Sequence, residues 1–159
     1  MRRVDLARAP FEYDDSDPAG FRSGIARFGP DVGAERTGAS LYELPPGEAL
    51  CPYHYEYGEE EWLLVLAGTA AVRTPQGVAD VGPMELVFFP RGPEGAHQVL
   101  NRSVSETVRV LMWSDVVLPT ATVYPDSGKV GVWTGNAQDD VMVERSAGVE
   151  YFHGESREP

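Results

Sequence analysis

From Ala39 to Glu144 short apolar runs alternate with clusters of Gly, Pro, Asn and Asp. The runs are rich in Val, Leu, Thr, Phe, Tyr and Trp, side chains that suit a pleated, half-buried surface. Punctuation recurring roughly every 8 to 12 residues predicts an all-β sandwich or barrel. Expected strands are Ala39–Leu44, Trp62–Leu66, Ala70–Thr74, Glu85–Phe89, Gln98–Asn101, Thr107–Trp113, Ala121–Tyr124, Val130–Trp133 and Val141–Glu144. Thr74-Pro75-Gln76-Gly77 reads as a tight turn, with Pro pre-set for its second position and Gly closing it. No segment of helical length carries a 3.6-residue apolar period. Residues 1–36, with Pro10, Pro18, Gly20, Gly24 and Gly29-Pro30, read as an irregular arm packing on a single domain over 37–159.

Alternation within one run carries further information. If Glu61, Leu63 and Val65 point one way, Trp62, Leu64 and Leu66 point the other. Three large apolar groups in a row do not suit a sheet face in water, so another sheet, the arm or a second subunit is expected to cover them. A homodimer is the expected assembly, since two-fold dimers are the commonest oligomers.

Composition narrows the function classes. The chain has 159 residues, 42% apolar and 24% charged, enough for one domain with one core. Its apolar runs fall far short of the roughly 18 residues that a spanning helix needs, so no membrane partner is expected. Met1-Arg2-Arg3-Val4-Asp5 is not followed by the apolar stretch of a signal peptide, and a cytoplasmic location is the default. The single cysteine, Cys51, excludes an intrachain disulfide framework and reads as a small packed residue. A formal net charge of −12 argues against nucleic acid, whose phosphates need a basic face. Most carboxylates, as in Asp14-Asp15-Ser16-Asp17, read as solvated surface.

Candidate chemistry lies in two blocks. His54 and Glu56, two residues apart in an extended segment, project to one side, and Gly58 lets Glu61 return to that side on the next strand. The second block runs Phe89-Pro90-Arg91-Gly92-Pro93-Glu94-Gly95-Ala96-His97, so that His97 follows a Pro/Gly-rich turn into a strand. The third histidine, His153, sits in a polar tail.

Together the blocks resemble the two motifs of the cupin superfamily, and residues 38–113 look like a small single-domain cupin. In the first motif, His54, Glu61 and Gly68 take the family positions, with four residues between Glu56 and Glu61 and six between Glu61 and Gly68. In the second, Pro90, Gly92, His97 and Asn101 do so, with Pro93-Glu94 lengthening the turn. The resemblance implies an antiparallel double-stranded β-helix, the cupin jelly-roll barrel. It also implies one divalent transition metal (Fe, Mn, Zn or Ni) held by His54, Glu61 and His97. Two departures stand out: Glu56 occupies a family histidine position, and Met84-Glu85 replaces a Gly-Asp pair. Glu56 is either a fourth ligand, biasing the site toward harder ions, or a member of the acidic loop facing water.

Two imidazoles and one carboxylate form the donor set of non-haem Fe(II) oxygenases. The resemblance thus implies a metal-dependent oxygenase or isomerase acting on a small polar molecule in the barrel. The alternative is a non-catalytic ligand-binding or dimerisation barrel with a degenerate metal site. The fold alone does not choose between them.

Overall fold

The computed structural model describes residues 1–157. The strands are β1 (Gly24–Arg27), β2 (Thr37–Leu44), β3 (Tyr55–Glu56), β4 (Glu61–Ala67), β5 (Ala70–Thr74), β6 (Gly77–Val81) and β7 (Leu86–Phe89). They continue as β8 (Gln98–Leu100), β9 (Val108–Asp115), β10 (Thr120–Tyr124), β11 (Lys129–Trp133) and β12 (Val141–Glu144). The one α-helix among the described residues, Gly29–Val32, is a single turn. The expected all-β architecture is therefore present, and every strand pairing is antiparallel. No helix of the described residues is long and apolar enough to cross a membrane.

Three sheets result, in the orders β1-β2-β9-β4-β7, β12-β11-β10-β3 and β6-β5-β8. Three elements have no counterpart among the expected strands, the shortest being Tyr55–Glu56, which the sequence marks only as an extended segment. Gly24–Arg27, within the stretch read as irregular, pairs with β2 along its whole length. Gly77–Val81 is mostly exposed, so its sequence lacks an apolar face that would mark it as a strand. It forms because Pro75-Gln76 turns the chain back on β5, with Thr74 opposite Gly77.

Alternation along β4 works as expected on its inner side. Leu63 and Val65 are fully buried against Leu44, Val72, Val99, Val108 and Val110. Each such side chain contributes roughly 1.5–3 kcal/mol by leaving water. On the outer side, Leu66 packs with Ala26, Phe28 and Leu41 beneath Leu6 and Phe11 of the N-terminal segment. Trp62 stacks on Trp113 at 6.0 Å and tilts against Phe88 at 4.7 Å, yet Leu86 and Phe88 of the edge strand β7 stay 52% and 41% exposed. The N-terminal segment thus covers one end of this face and leaves the other open.

Candidate metal centre

His54 and His97 meet because the backbone brings them directly opposite each other. An isolated antiparallel bridge joins them, with His54 N–H donating to His97 O at 3.1 Å and His97 N–H to His54 O at 2.8 Å. Opposed residues of an antiparallel pair send their side chains to the same face. The two rings accordingly lie 4.7 Å apart. The turn before His97 leaves no room for a side chain at Gly95, where a Cβ would fall 1.6 Å from Pro90 O. Phe89 then stacks on the His97 ring at 3.7 Å, nearly parallel at 8°.

Glu61 opens β4 on its inward side, in phase with Leu63 and Val65. Its Oε2 stands 3.9 Å from His54 Nε2 and 3.4 Å from His97 Nε2. One donor atom from each of the three residues lies within 4.8 Å of the other two, a group suited to one metal ion.

The imidazoles are preset for that task. His54 Nδ1 lies 3.0 Å from Pro52 O, and His97 Nδ1 lies 2.9 Å from Gly95 O. A carbonyl oxygen only accepts, so each Nδ1 carries the hydrogen and each Nε2 is left with its lone pair. His97 is 1% exposed, and its Nε2 has no hydrogen-bond partner among the described residues. Such a buried orphan is costly unless something occupies the site.

Charge gives the same answer. Burial, aided by Glu59, pushes the Glu61 carboxyl up to about 7. Burial, with a contribution from His54, drives His97 down to about 3, and burial also lowers His54. Without a cation, these groups are pressed toward neutrality. A divalent cation reverses that pressure for the carboxylate and uses the neutral imidazoles as they stand. The residues present therefore fit a metal.

Glu56 lies outside the three-residue group but lines the same cavity of about 280 Å³ with His54 and Glu61. Thr122, its partner in the β3–β10 register, donates through Oγ1 to Glu56 Oε1 at 3.2 Å, and Trp133 Nε1 donates to Thr122 Oγ1 at 2.7 Å. Glu56 Oε2 is buried with no partner among the described residues. Burial, then Glu61 and Glu59, pushes its carboxyl up to about 8. Sequence reasoning missed Thr122 and Trp133, because the chemistry-bearing blocks end at Asn101 and nothing local announces a partner 66 residues beyond Glu56. His153 is exposed and is not a member of this group.

Asn101, the last residue of the second motif, is a structural pin. Its side-chain amide donates to Leu44 O at 2.8 Å and Glu106 O at 2.7 Å, and its Oδ1 accepts from Ser103 N–H at 2.9 Å.

Residues 40–114, which hold His54, Glu56, Glu61, His97 and Asn101 but not Thr122 or Trp133, match the family model of the cupin domain. Those residues form a cupin domain. No curated protein matches it by sequence. Among solved structures, the chain is similar to a protein proposed to be a sugar phosphate isomerase from Acidithiobacillus ferrooxidans, at 22% identity and a TM-score of 0.80, covering 91% of each chain. A sugar phosphate isomerase from Silicibacter pomeroyi is 20% identical at a TM-score of 0.79, covering 92% of this chain and 94% of its own. A polyketide cyclase from Streptomyces resistomycificus is 25% identical at a TM-score of 0.59, covering 72% and 79%.

Proposed function

We propose that this protein is a metal-dependent enzyme that acts on a small polar molecule bound in the inner cavity. The observation that carries the reading is the convergence of His54 Nε2, His97 Nε2 and Glu61 Oε2, with both imidazoles fixed in the tautomer a metal requires. A divalent transition metal held there supplies Lewis acidity to a bound oxygen atom. His54, Glu61 and His97 are the proposed ligands, with Fe, Mn, Zn and Ni all compatible with the donor set.

Within the oxygenase-or-isomerase pair implied by the sequence, Glu56 favours isomerisation. Its side chain lines the cavity, with Oε1 held by Thr122 and Oε2 buried without a hydrogen-bond partner among the described residues, so this carboxylate is the group we assign to take a proton from a bound molecule and return it at a neighbouring atom. The names of two relatives matched over nearly their whole length are consistent with that reaction class. Phe89 and the backbone carbonyls of Pro52 and Gly95 keep the imidazoles from turning, so the centre is rigid before any ligand arrives.

Elemental analysis of protein purified without a metal-binding tag tests the reading. Near one equivalent of a transition metal is expected, lost in the His97→Ala variant. Metal-free protein that takes up no Mn(II), Fe(II), Ni(II) or Zn(II) on titration would overturn it.

A further inference from the structure

Glu56 stands where the resemblance expects a histidine, and what holds it comes from outside the matched domain. Residues 40–114 end before β10 and β11, yet the side chain that bonds Glu56 is Thr122 of β10. Register sets one row across the four-stranded sheet: Glu56 faces Thr122, Thr122 faces Gly131, and Gly131 faces Met142. Opposed residues of antiparallel strands share a face, so the whole row lies on the side of the sheet that carries Glu56. Tyr124, two residues along β10 on that same side, stands beside the His54 ring with centroids 6.0 Å apart. This face of the β10–β11 hairpin therefore looks onto the candidate centre.

The row has a gap at Gly131. A Cβ there would fall 2.9 Å from Cζ2 and 3.2 Å from Cε2 of Trp133, and 3.1 Å from Cε of Met142. Trp133 itself stands opposite Thr120, and its indole occupies the space that Gly131 leaves open. From there its Nε1 donates to Thr122 Oγ1 at 2.7 Å, and Thr122 Oγ1 donates to Glu56 Oε1 at 3.2 Å. The polarity of this chain has one solution. An indole N–H only donates, so it takes a lone pair of the hydroxyl. A hydroxyl has one hydrogen, and Glu56 Oε1 is the acceptor it meets. Thr122 is 1% exposed, so water does not compete for that hydrogen. Oε1 is thereby held as an acceptor, and a proton or cation taken up by Glu56 belongs on Oε2, the buried oxygen without a partner among the described residues.

We propose that Trp133 is a positioning residue for Glu56: through Thr122 its indole N–H commits Oε1 and leaves Oε2 as the oxygen that serves the cavity. The inference rests on reading Glu56 as the proton carrier of the inner cavity, and it adds how that group is oriented. Linked hydrogen bonds polarise one another, so the indole also strengthens the bond that Thr122 makes to the carboxylate. Gly131 belongs to the same device, since a side chain at that position would push the indole away from Thr122.

Heteronuclear NMR of metal-free, isotope-labelled full-length protein tests the link. The Trp133 indole N–H is identified by its loss in Trp133→Phe, which keeps an aromatic ring in place. Thr122→Val is expected to move that resonance upfield and to quicken its exchange with solvent about tenfold, the worth of one hydrogen bond. Glu56→Ala should move it in the same direction by less, and Thr122→Ser, which keeps the hydroxyl, should restore the parent position. In Thr122→Val/Glu56→Ala the resonance should stay where Thr122→Val alone puts it, because the influence of Glu56 has to pass through the hydroxyl. In return, Trp133→Phe should move the Glu56 carboxyl carbon at constant pH, that resonance being identified by its loss in Glu56→Ala. A Trp133 that merely packs gives additive shifts and an unmoved carboxyl carbon, and either result overturns the proposal, as does an indole resonance indifferent to Glu56→Ala. Metal content is measured separately. Parent protein that takes up no metal sinks the metal reading and leaves the shift pattern standing, whereas additive shifts in a metal-binding protein sink the positioning role alone.

Discussion

At the scale of single residues, the three proposed ligands each bring one donor atom to a common place. Replacing His54, Glu61 or His97 by Ala is expected to abolish stoichiometric metal while far-UV circular dichroism stays unchanged, since none of the three belongs to the main apolar cluster. Retention of full metal by the His54 variant would place the site elsewhere. The raised carboxyls set a pH dependence with a definite sign. In the metal-free protein burial lifts the Glu61 carboxyl to about 7 and the Glu56 carboxyl to about 8, whereas it drives His97 down to about 3 and holds His54 below the usual imidazole value. Binding must therefore displace protons from carboxyl groups, and metal affinity should keep rising with pH through about 6 to 8, beyond the range where ordinary histidines titrate. Calorimetry in buffers of different ionisation enthalpy should show protons released per metal at pH 6 and fewer above pH 8. The same groups hold protons in the folded state that the unfolded chain has already lost, so stability of the metal-free protein falls as pH rises through this window. Glu56 can be separated from the trio. If it ligates, Glu56→Ala weakens Mn(II) more than Zn(II), and Thr122→Val, which frees Oε1, costs about tenfold in Mn(II) affinity. Equal Mn(II) binding by Glu56→Ala and the parent protein would confine Glu56 to the cavity wall.

At the scale of elements, the turns carry as much as the strands. Gly95 and Asn101 flank His97 and β8, and each does something no neighbour can replace. Asn101→Ala strands the carbonyls of Leu44 and Glu106 and the Ser103 N–H in a buried place, a loss of about 3 kcal/mol by urea denaturation. Its metal stoichiometry, measured on the folded fraction, should be unchanged, which distinguishes a structural pin from a ligand. Elements with an apolar run bounded by Gly or Pro were legible in the sequence, and Ala70–Thr74 and Val141–Glu144 have the expected limits. β6 was not legible, because its register comes from a hairpin with β5 rather than from any apolar face of its own. β1 was hidden for a related reason: the four residues from Gly24 to Arg27 become a strand only because β2 offers its edge. Of the site, His54, Glu61 and His97 could be read from two spaced blocks. The Thr122–Trp133 support behind Glu56 could not, since it depends on which strand pairs with β3.

At the scale of the whole molecule, the uncovered apolar surface is the feature that a lone chain explains least. Leu86 and Phe88 lie on β7, the edge of the five-stranded sheet, where backbone groups also stand ready to pair. At the other extreme of the chain Tyr151 and Phe152 are 89% and 76% exposed, edge to face at 4.7 Å. Rings of this size bury roughly 150–250 Å² each when covered, so these two and the β7 residues supply a large part of the ~800 Å² per partner that a stable interface uses. A two-fold dimer covers such surfaces without leaving an open end for further growth. Light scattering at micromolar concentration is expected to give about twice the 17.4 kDa chain mass. The Leu86→Glu/Phe88→Glu variant should return to the single-chain mass if β7 is the interface, whereas Tyr151→Glu/Phe152→Glu should do so if the C-terminal segment is. Neither pair touches the proposed ligands, so metal content should survive in whichever variant dissociates. A parent protein that runs at the single-chain mass across the micromolar range would sink the dimer. The exposed β7 edge would then have to be tolerated by a monomer whose net charge of −12 keeps copies apart.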